Sequence, residues 1–225
     1  MGESIDRGRR GLVWGALAGA AVPAALLGAC GGGGSNSSDG TARLRLLNVS
    51  NGYPSLDLRV DDVVAQGAVA YGAAGSYSSV STASINTVIA SAGSSTALST
   101  ASRTLAKDVA YTLLAYGWAG ALKTAILQDD VAAADAGKAK LQVLNLATDA
   151  GTLDIYLTGN DDLLDDATAL TTGLAGGATL SHTSISAGSY RLRVTGNGDK
   201  TDLRLDVTGL ALTTTQVASL LLVPG

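Results

Sequence analysis

Hydrophobic and polar residues alternate along several short segments of this chain, and this is the pattern of half-buried β-strands. Leu56, Leu58 and Val60 alternate with Asp57 and Arg59. Because successive side chains of a strand point to opposite faces of a sheet, one face of this segment is predicted to be buried and the other to face water.

A second pair of alternating segments predicts a β-hairpin. Residues 190–194 and 203–207 both alternate, and the sequence Gly-Asn-Gly-Asp of residues 196–199 lies between them. An Asn-Gly pair between two such runs is a strong signal for a tight turn. The two segments are therefore expected to pair as antiparallel strands.

Two further segments are apolar almost throughout. Residues 109–116 and 217–223 have little polar interruption, which favours central strands covered on both faces. Helix is the alternative for the Ala-rich residues 132–136 and for residues 161–170. Residues 132–136 are short and bounded by Asp and Gly, so they are interpreted as a connector.

An internal repeat organises these segments. ARLRLLNV of residues 42–49 recurs as AKLQVLNL of residues 139–146, an offset of 97. Residues 109–117 parallel residues 217–225 at an offset of 108, and the difference fits an insertion within residues 161–172. Two diverged copies of one unit are the simplest explanation.

The predicted fold is therefore all-β, with two tandem small antiparallel β-sandwich modules behind an N-terminal leader and a tether. The predicted divisions of the chain are a signal peptide at 1–29, a tether at 30–40, a first module at 41–130, a connector at 131–138 and a second module at 139–225.

The leader carries an export pattern. Arg7, Arg9 and Arg10 precede an apolar run at residues 12–27, and small residues then lead to Cys30, the only cysteine. This arrangement resembles the lipobox of a bacterial lipoprotein signal peptide. It implies cleavage before Cys30 and attachment of fatty acyl chains such as palmitate to that residue. An uncleaved anchor and export by the twin-arginine route are left open.

The segment after Cys30 predicts how far the protein extends from the membrane. Residues 31–40 read GGGGSNSSDG, a flexible tether with a root-mean-square span of roughly 17–19 Å. Gly31 follows Cys30 where Asp would favour retention at the inner membrane. By resemblance to known sorting rules, the expected location is the outer membrane, on either its periplasmic or its surface face.

Charge narrows the possible partners. The chain has 15 basic and 19 acidic residues and a net charge of −4. Because a nucleic-acid site needs an excess of Lys and Arg, this balance argues against nucleic acid. The membrane, reached through the lipid on Cys30, and an envelope protein or glycan remain the expected partners.

The order of these segments along the chain resembles that of a known family. An opening strand ending in Asn, a Leu-Asp-(Leu/Ile) strand, a strand ending in Gly, and then LQDD of residues 127–130 with AGKA of residues 136–139 together resemble DUF4397, over residues 41–225. The resemblance implies an immunoglobulin-like or transthyretin-like sandwich and no catalytic residues.

The residues offer little for catalysis. His182 is the only histidine, no Gly-x-Ser-x-Gly motif occurs, and zinc would lack ligands. His182 is predicted to be an exposed strand residue, and neither catalytic residues nor a cofactor are expected. An envelope hydrolase that uses His182 as its base is the alternative.

Asp residues cluster without a known calcium-binding spacing. Asp61-Asp62, Asp129-Asp130 and the group in residues 160–166 are interpreted as solvated turn residues, with a calcium-stabilised surface adhesin as the alternative. Asp57 and Asp154 occupy the same position in both copies. They are expected to face solvent, with a ligand-binding role as the alternative.

Aromatic residues supply the remaining candidates. Trp118 lies beside Tyr116, near Tyr111, and sugar faces stack on such rings. Core packing explains the tyrosines equally well, whereas Trp118 follows a glycine at an expected strand end. The predicted function is a non-catalytic, membrane-anchored envelope lipoprotein that binds or scaffolds a protein or glycan partner.

Overall fold

The computed structural model describes residues 12–18 and 40–224, and this part of the chain is all-β, as predicted. Its sixteen strands form four sheets of four strands each. The strands are β1 (Leu12–Ala18), β2 (Thr41–Ser50), β3 (Ser55–Val60), β4 (Val63–Ala70), β5 (Ser78–Ser81), β6 (Ile85–Ser91), β7 (Ala97–Arg103), β8 (Ala110–Trp118), β9 (Ala121–Gln128), β10 (Lys138–Asn145), β11 (Leu153–Thr158), β12 (Thr171–Leu174), β13 (Thr179–Ser186), β14 (Gly188–Gly196), β15 (Asp199–Leu212) and β16 (Val217–Pro224).

Strands β2 to β9, here called the first half, form two sheets in the orders β5-β2-β8-β9 and β4-β3-β6-β7. All pairings are antiparallel except that of β2 with β8. Inward side chains of both sheets meet in one apolar core, which includes Leu44, Leu46, Leu56, Leu58 and Leu113. The alternation at residues 56–60 thus does bury Leu56 and Leu58.

Strands β10 to β16, here called the second half, also form two sheets. Their orders are β1-β16-β10-β13 and β12-β11-β14-β15, and β1 comes from the N-terminal segment. β10 and β16 are parallel, as β2 and β8 are. The core of this half includes Leu141, Val143, Leu153, Ile155 and Leu220.

Several predicted local elements are confirmed. β14 and β15 pair around the turn at residues 197–198, and β3 and β4 pair around Asp61 and Asp62, both with positive φ. Residues 129–137 contain neither helix nor strand, so the helical alternative at 132–136 is wrong. Residues 161–170 are likewise non-helical.

The predicted offset of 108 for the last strand is wrong by one residue. Arg43 pairs with Ala110, and Lys140, its counterpart at an offset of 97, pairs with Val217. The structural offset between β8 and β16 is therefore 107. Because side chains of a strand alternate between faces, the one-residue slip would have assigned every side chain of β16 to the wrong face.

A third apolar cluster joins the two halves. We call it the inter-half cluster, and its counterpart pairs are Leu47 and Leu144, Val49 and Leu146, Leu114 and Leu221, and Tyr116 and Val223. Each half thus contributes the same four positions to the contact. The outer face of the β2–β8 sheet packs on that of the β10–β16 sheet.

The structure describes only part of the predicted signal peptide and tether. Strand β1 falls inside the segment predicted to be a signal peptide, whereas Cys30 and the tether up to residue 39 lie outside the described residues. Within residues 12–18 and 40–224, no helix has the length and apolar character that a membrane span requires.

Candidate functional site

A buried asparagine fixes the loops at one end of the first half. The Asn48 Nδ2 atom donates hydrogen bonds to the carbonyl oxygens of Tyr53, at 3.1 Å, and Val69, at 3.2 Å. The backbone N–H of Asn48 donates to the Ala73 carbonyl, and its carbonyl accepts from the Gly72 N–H. This single residue therefore holds the β2–β3 loop against the β4–β5 loop.

Asp57 fixes two more segments at the same end. Its Oδ1 atom accepts from the Ala68 N–H at 2.7 Å, and its Oδ2 atom accepts from the Gly93 N–H at 2.9 Å. The residue is only 7% exposed. The expectation that Asp57 faces solvent is therefore wrong, because the irregular β4 strand and the β6–β7 turn lie over its carboxylate.

The second half repeats this arrangement. Asn145 Nδ2 donates to the carbonyl oxygens of Gly151, at 3.2 Å, and Leu174, at 2.9 Å. Asp154 accepts from the N–H groups of Gly173, at 2.7 Å, and Gly198, at 2.8 Å, and is only 3% exposed. Its predicted exposure is wrong for the same reason. In each half an Asn and an Asp hold the loops, so we call these four residues the loop framework.

The side-chain oxygen of the framework asparagine accepts hydrogen bonds in the first half but not in the second. Asn48 Oδ1 accepts from both the N–H and the hydroxyl of Ser50, at 3.1 and 2.6 Å. Asn145 Oδ1 is buried without a hydrogen-bond partner, and Ala147 stands at the position that corresponds to Ser50. An unpaired buried acceptor destabilises a protein, so the second half is the weaker of the two at this point.

Restoring the missing hydroxyl is expected to stabilise the protein. Ala147→Ser should raise the free energy of unfolding by about 1 kcal/mol, because it supplies a donor to Asn145 Oδ1. Ser50→Ala should lower it by a similar amount. Urea denaturation measures both changes, and a loss of stability in both variants would contradict the explanation.

Trp118 is exposed at the loop end that the framework holds. It is 37% exposed, and Tyr53 and Asn51 fix the turn beside it. The Tyr53 hydroxyl accepts from the Gly120 N–H at 2.8 Å, and the Asn51 N–H donates to the Gly117 carbonyl at 2.7 Å. The turn that carries Trp118 is therefore fixed to the β2–β3 loop.

The other aromatic candidates are placed differently. Tyr116 is buried in the inter-half cluster, so its ring has no open face for a ligand. Tyr111 packs against the core of the first half. Tyr71, which was not selected from the sequence, is exposed on the β4–β5 loop, and its N–H donates to the Pro54 carbonyl at 2.9 Å. Trp118 and Tyr71 are thus exposed rings at the loop end that the framework holds, whereas Tyr77, also exposed on the β4–β5 loop, lies nearer the other end of β2.

A second polar group lies at the opposite end of β2 and β8, and sequence reasoning missed it. We call it the Tyr77 cluster. The Tyr77 hydroxyl donates to Asp129 Oδ2 at 2.8 Å, and the Arg45 guanidinium lies 4.6 Å from the centre of the Tyr77 ring. Arg45 Nε donates to the Thr112 hydroxyl at 2.8 Å, which donates to Asp129 Oδ2 at 2.7 Å.

Asp129 is therefore not a free solvated residue, contrary to expectation, whereas Asp130 is exposed, as expected, but also has partners. Asp130 accepts from the Ala110 N–H and lies 3.4 Å from the Arg43 guanidinium, while Asp129 lies 3.9 Å from Arg45. These contacts hold the segment after β9 against β2 and β8. In the described part of the chain, no three His, Cys, Asp or Glu side chains are grouped so that they could hold a metal ion.

The Tyr77 phenol is expected to titrate late. Burial, and then the hydrogen bond to Asp129, raise the pKa of Tyr77 from 10.0 to about 12. Because the protonated phenol is favoured in the folded state, its contribution to stability is present below pH 10.0 and lost as the pH rises to about 12.

Ultraviolet titration measures this directly. The difference between wild type and Tyr77→Phe should show one tyrosine that ionises near pH 12. Asp129→Asn should move that ionisation to lower pH, because it removes the negative charge beside the hydroxyl. An unchanged titration in Asp129→Asn would contradict the contribution assigned to Asp129.

His182 occupies the position in the second half that Tyr77 has in the first. Tyr77 precedes Ser78, which pairs with Leu44 of β2. His182 precedes Thr183, which pairs with Leu141 of β10, the counterpart of Leu44. His182 is on a strand, as predicted, but it is half-buried, not exposed. Burial, and then the charge of Lys140, lower the pKa of His182, which favours neutral imidazole.

The comparison with known families covers the first half and part of the second. No curated protein matches the chain. A family model described as a domain of unknown function (DUF4397) matches residues 42–156, which run from β2 into β11. These are 115 of the 225 residues, so the match extends over half of the sequence, though not to its end as the resemblance implied. The chain belongs to the DUF4397 family.

Proposed function

We propose that this protein is a lipid-anchored envelope protein that binds or scaffolds a protein or glycan partner and catalyses no reaction. Cys30, at the end of a lipobox-like segment, carries the acyl chains, and residues 31–40 connect it to the folded part. Two or three acyl chains provide stable anchoring, because each buried CH₂ contributes about 0.8 kcal/mol. The outer membrane is the proposed location.

The folded part consists of two tandem modules, residues 41–130 and 139–225. Supporting this are the paired Asn and Asp residues of the loop framework and the matched positions of the inter-half cluster. The parallel pairing of β2 with β8 and of β10 with β16 agrees with duplication of one unit. Each module holds its loops at one end by the same buried side chains.

The exposed ring of Trp118 on a fixed turn is the observation that carries the binding proposal. Loops held by a rigid scaffold are where binding residues concentrate, and Trp and Tyr contribute most to many interfaces. A turn that is already ordered loses little conformational entropy when it binds. Trp118, with Tyr71 on the neighbouring framework-held loop, is therefore the proposed contact surface.

The position of Trp118 relative to the tether agrees with this role. The tether reaches the fold at the start of β2, whereas Trp118 ends the parallel strand β8. The ten residues of β2 span about 30 Å at roughly 3.3 Å per residue. Trp118 is therefore presented at the end of the module that is far from the point of attachment, where a partner can approach.

Photocrosslinking in living cells tests the binding proposal. A photoreactive phenylalanine at position 118 should give a discrete adduct with one protein or one glycan class. The matched control places it at Leu163, which is 69% exposed in the second half. An adduct pattern at position 118 identical to that at position 163 would refute a specific partner at Trp118.

The intact mass of the protein tests the anchor separately. The purified wild type should lack residues 1–29 and carry acyl chains, whereas Cys30→Ala should retain the leader without lipid. An unlipidated wild type with its leader intact would overturn the proposed anchor. That result would not change the interpretation of the crosslinking experiment at Trp118.

A further inference from the structure

The outer edge of β16 is covered by a strand from far away in the sequence. In the first half, β9 lies antiparallel beside β8, and β9 is the next strand along the chain. In the second half, β1 takes that place beside β16, in an antiparallel register from Leu12↔Pro224 to Ala18↔Ala218. The strand that completes this sheet thus belongs to the segment that we propose is removed before Cys30.

The sequence of β16 is unsuited to an open edge. Its residues VASLLLVP carry no charge, and its pairing shows no bulge. Open edges are normally short, charged or irregular, because a regular apolar edge pairs with other chains. Apart from β1, which is also uncharged and regular, the described edge strands follow this rule: β5 and β12 have four residues each, β4 and β13 are irregular, and β7, β9 and β15 carry charges.

The backbone of β16 shows which groups the loss of β1 would expose. The carbonyl oxygens of Gln216 and Leu222 accept from β10 and the residue after it. Because consecutive residues of a strand direct their backbone groups to opposite sides, even-numbered residues face β10. The N–H and C=O groups of Val217, Ser219, Leu221 and Val223 therefore face β1.

We propose that, in the mature protein, β16 of one copy pairs antiparallel with β16 of a second copy. This inference rests on the proposed removal of residues 1–29. β16 is itself an uncharged apolar strand of the required length, so self-pairing places no like charges opposite each other. The result is a continuous sheet in the order β13-β10-β16-β16-β10-β13, closed by two-fold symmetry.

The mature lipidated protein, produced from the full gene and purified in non-ionic detergent, tests this pairing. Its intact mass reports removal of residues 1–29, and native mass spectrometry of the same sample reports the oligomeric state. A dimer that lacks residues 1–29 is expected. A monomer that lacks them overturns the pairing alone, whereas a chain that retains them overturns the removal on which the pairing rests.

Two variants at one position separate backbone pairing from side-chain effects. Ser219→Pro removes an N–H that faces away from β10 and should weaken the dimer at least about tenfold. Ser219→Ala keeps that N–H and loses only the side-chain contact with Gln142, so it should remain dimeric. A folded Ser219→Pro protein that dimerises as well as Ser219→Ala would overturn the proposal.

Hydrogen exchange of the wild type tests the pairing of β16 with β16 even if Ser219→Pro does not fold. The amides of Ser219 and Leu221 should be protected in the concentrated mature protein and should exchange faster on dilution. A peptide with the sequence of residues 12–18 should compete with the second copy and give monomers. Protection that is independent of concentration, or a crosslink from β16 to a different protein, would overturn pairing between two copies.

Discussion

Asp57→Asn is expected to lower the free energy of unfolding by about 2–4 kcal/mol. The buried carboxylate accepts from the N–H groups of Ala68 and Gly93. A hydrogen bond to a charged group contributes about 1.5–3 kcal/mol, and the amide of Asn can satisfy only one of these donors while its own NH₂ opposes the other. Asp154→Asn should have an effect of the same size, because Asp154 makes the equivalent pair of bonds.

Urea denaturation measures both effects, and Asp62→Asn is the matched control. Asp62 is exposed in the β3–β4 turn with a φ of 66°, a conformation that Asn also accepts. Its replacement should change stability by less than about 0.5 kcal/mol. If Asp57→Asn and Asp154→Asn were as mild as the control, the carboxylates would not be holding the loops.

Leu114→Ala is expected to lower the free energy of unfolding by about 2–5 kcal/mol. Leu114 is fully buried in the inter-half cluster, so truncation loses apolar burial and leaves a cavity. Leu221→Ala, at the counterpart position, should have a similar effect. The exposed Leu163 provides the control, and its replacement by Ala should change stability by less than about 0.5 kcal/mol.

The double variant tests the contact between the halves. Residues in one cluster share a cavity, so the effects of Leu114→Ala and Leu221→Ala should deviate from additivity by at least about 0.5 kcal/mol. Strictly additive effects would mean that Leu114 and Leu221 do not interact and would contradict a coupling of the two halves through these residues.

Strand positions could be predicted from the sequence because their causes are local. Burial of Leu56 and Leu58 follows from alternation along one segment, and the hairpin at residues 197–198 follows from its turn residues. The offset between β8 and β16 could not be predicted in this way. A run of Leu and Ala looks much the same when it is shifted by one residue, so its sequence does not indicate the register. The register is determined by the pairing of β8 with β2 and of β16 with β10.

The buried positions of the loop-framework residues could be recognised only once the fold was known. Alternation places Asp57 opposite Leu56 and Leu58 and so predicts exposure, but distant turns cover that face. A signal was present: Asn48 and Asp57 recur at a common offset of 97 as Asn145 and Asp154. A polar residue that recurs at the same offset as the surrounding segments is a candidate for a buried structural role.

The Tyr77 cluster shows a similar limit. Its members come from β2, β8 and the segments before β5 and after β9, and no local pattern connects them. The sequence shows Arg43 and Arg45 on one strand and Asp129-Asp130 after another, but it does not indicate that these charges meet. Their partners became apparent only from the sheet order.

Hydrogen exchange at the amides that bond to Asp57 and Asp154 tests most directly whether buried side chains hold the loop end that presents Trp118. The N–H groups of Ala68 and Gly93, and those of Gly173 and Gly198, bond to carboxylates outside any strand ladder. They are predicted to exchange as slowly as amides of the central strands. At least one amide of the first pair should become fast in Asp57→Asn, and at least one of the second pair in Asp154→Asn. Fast exchange of these four amides in the wild type would contradict a preformed loop end.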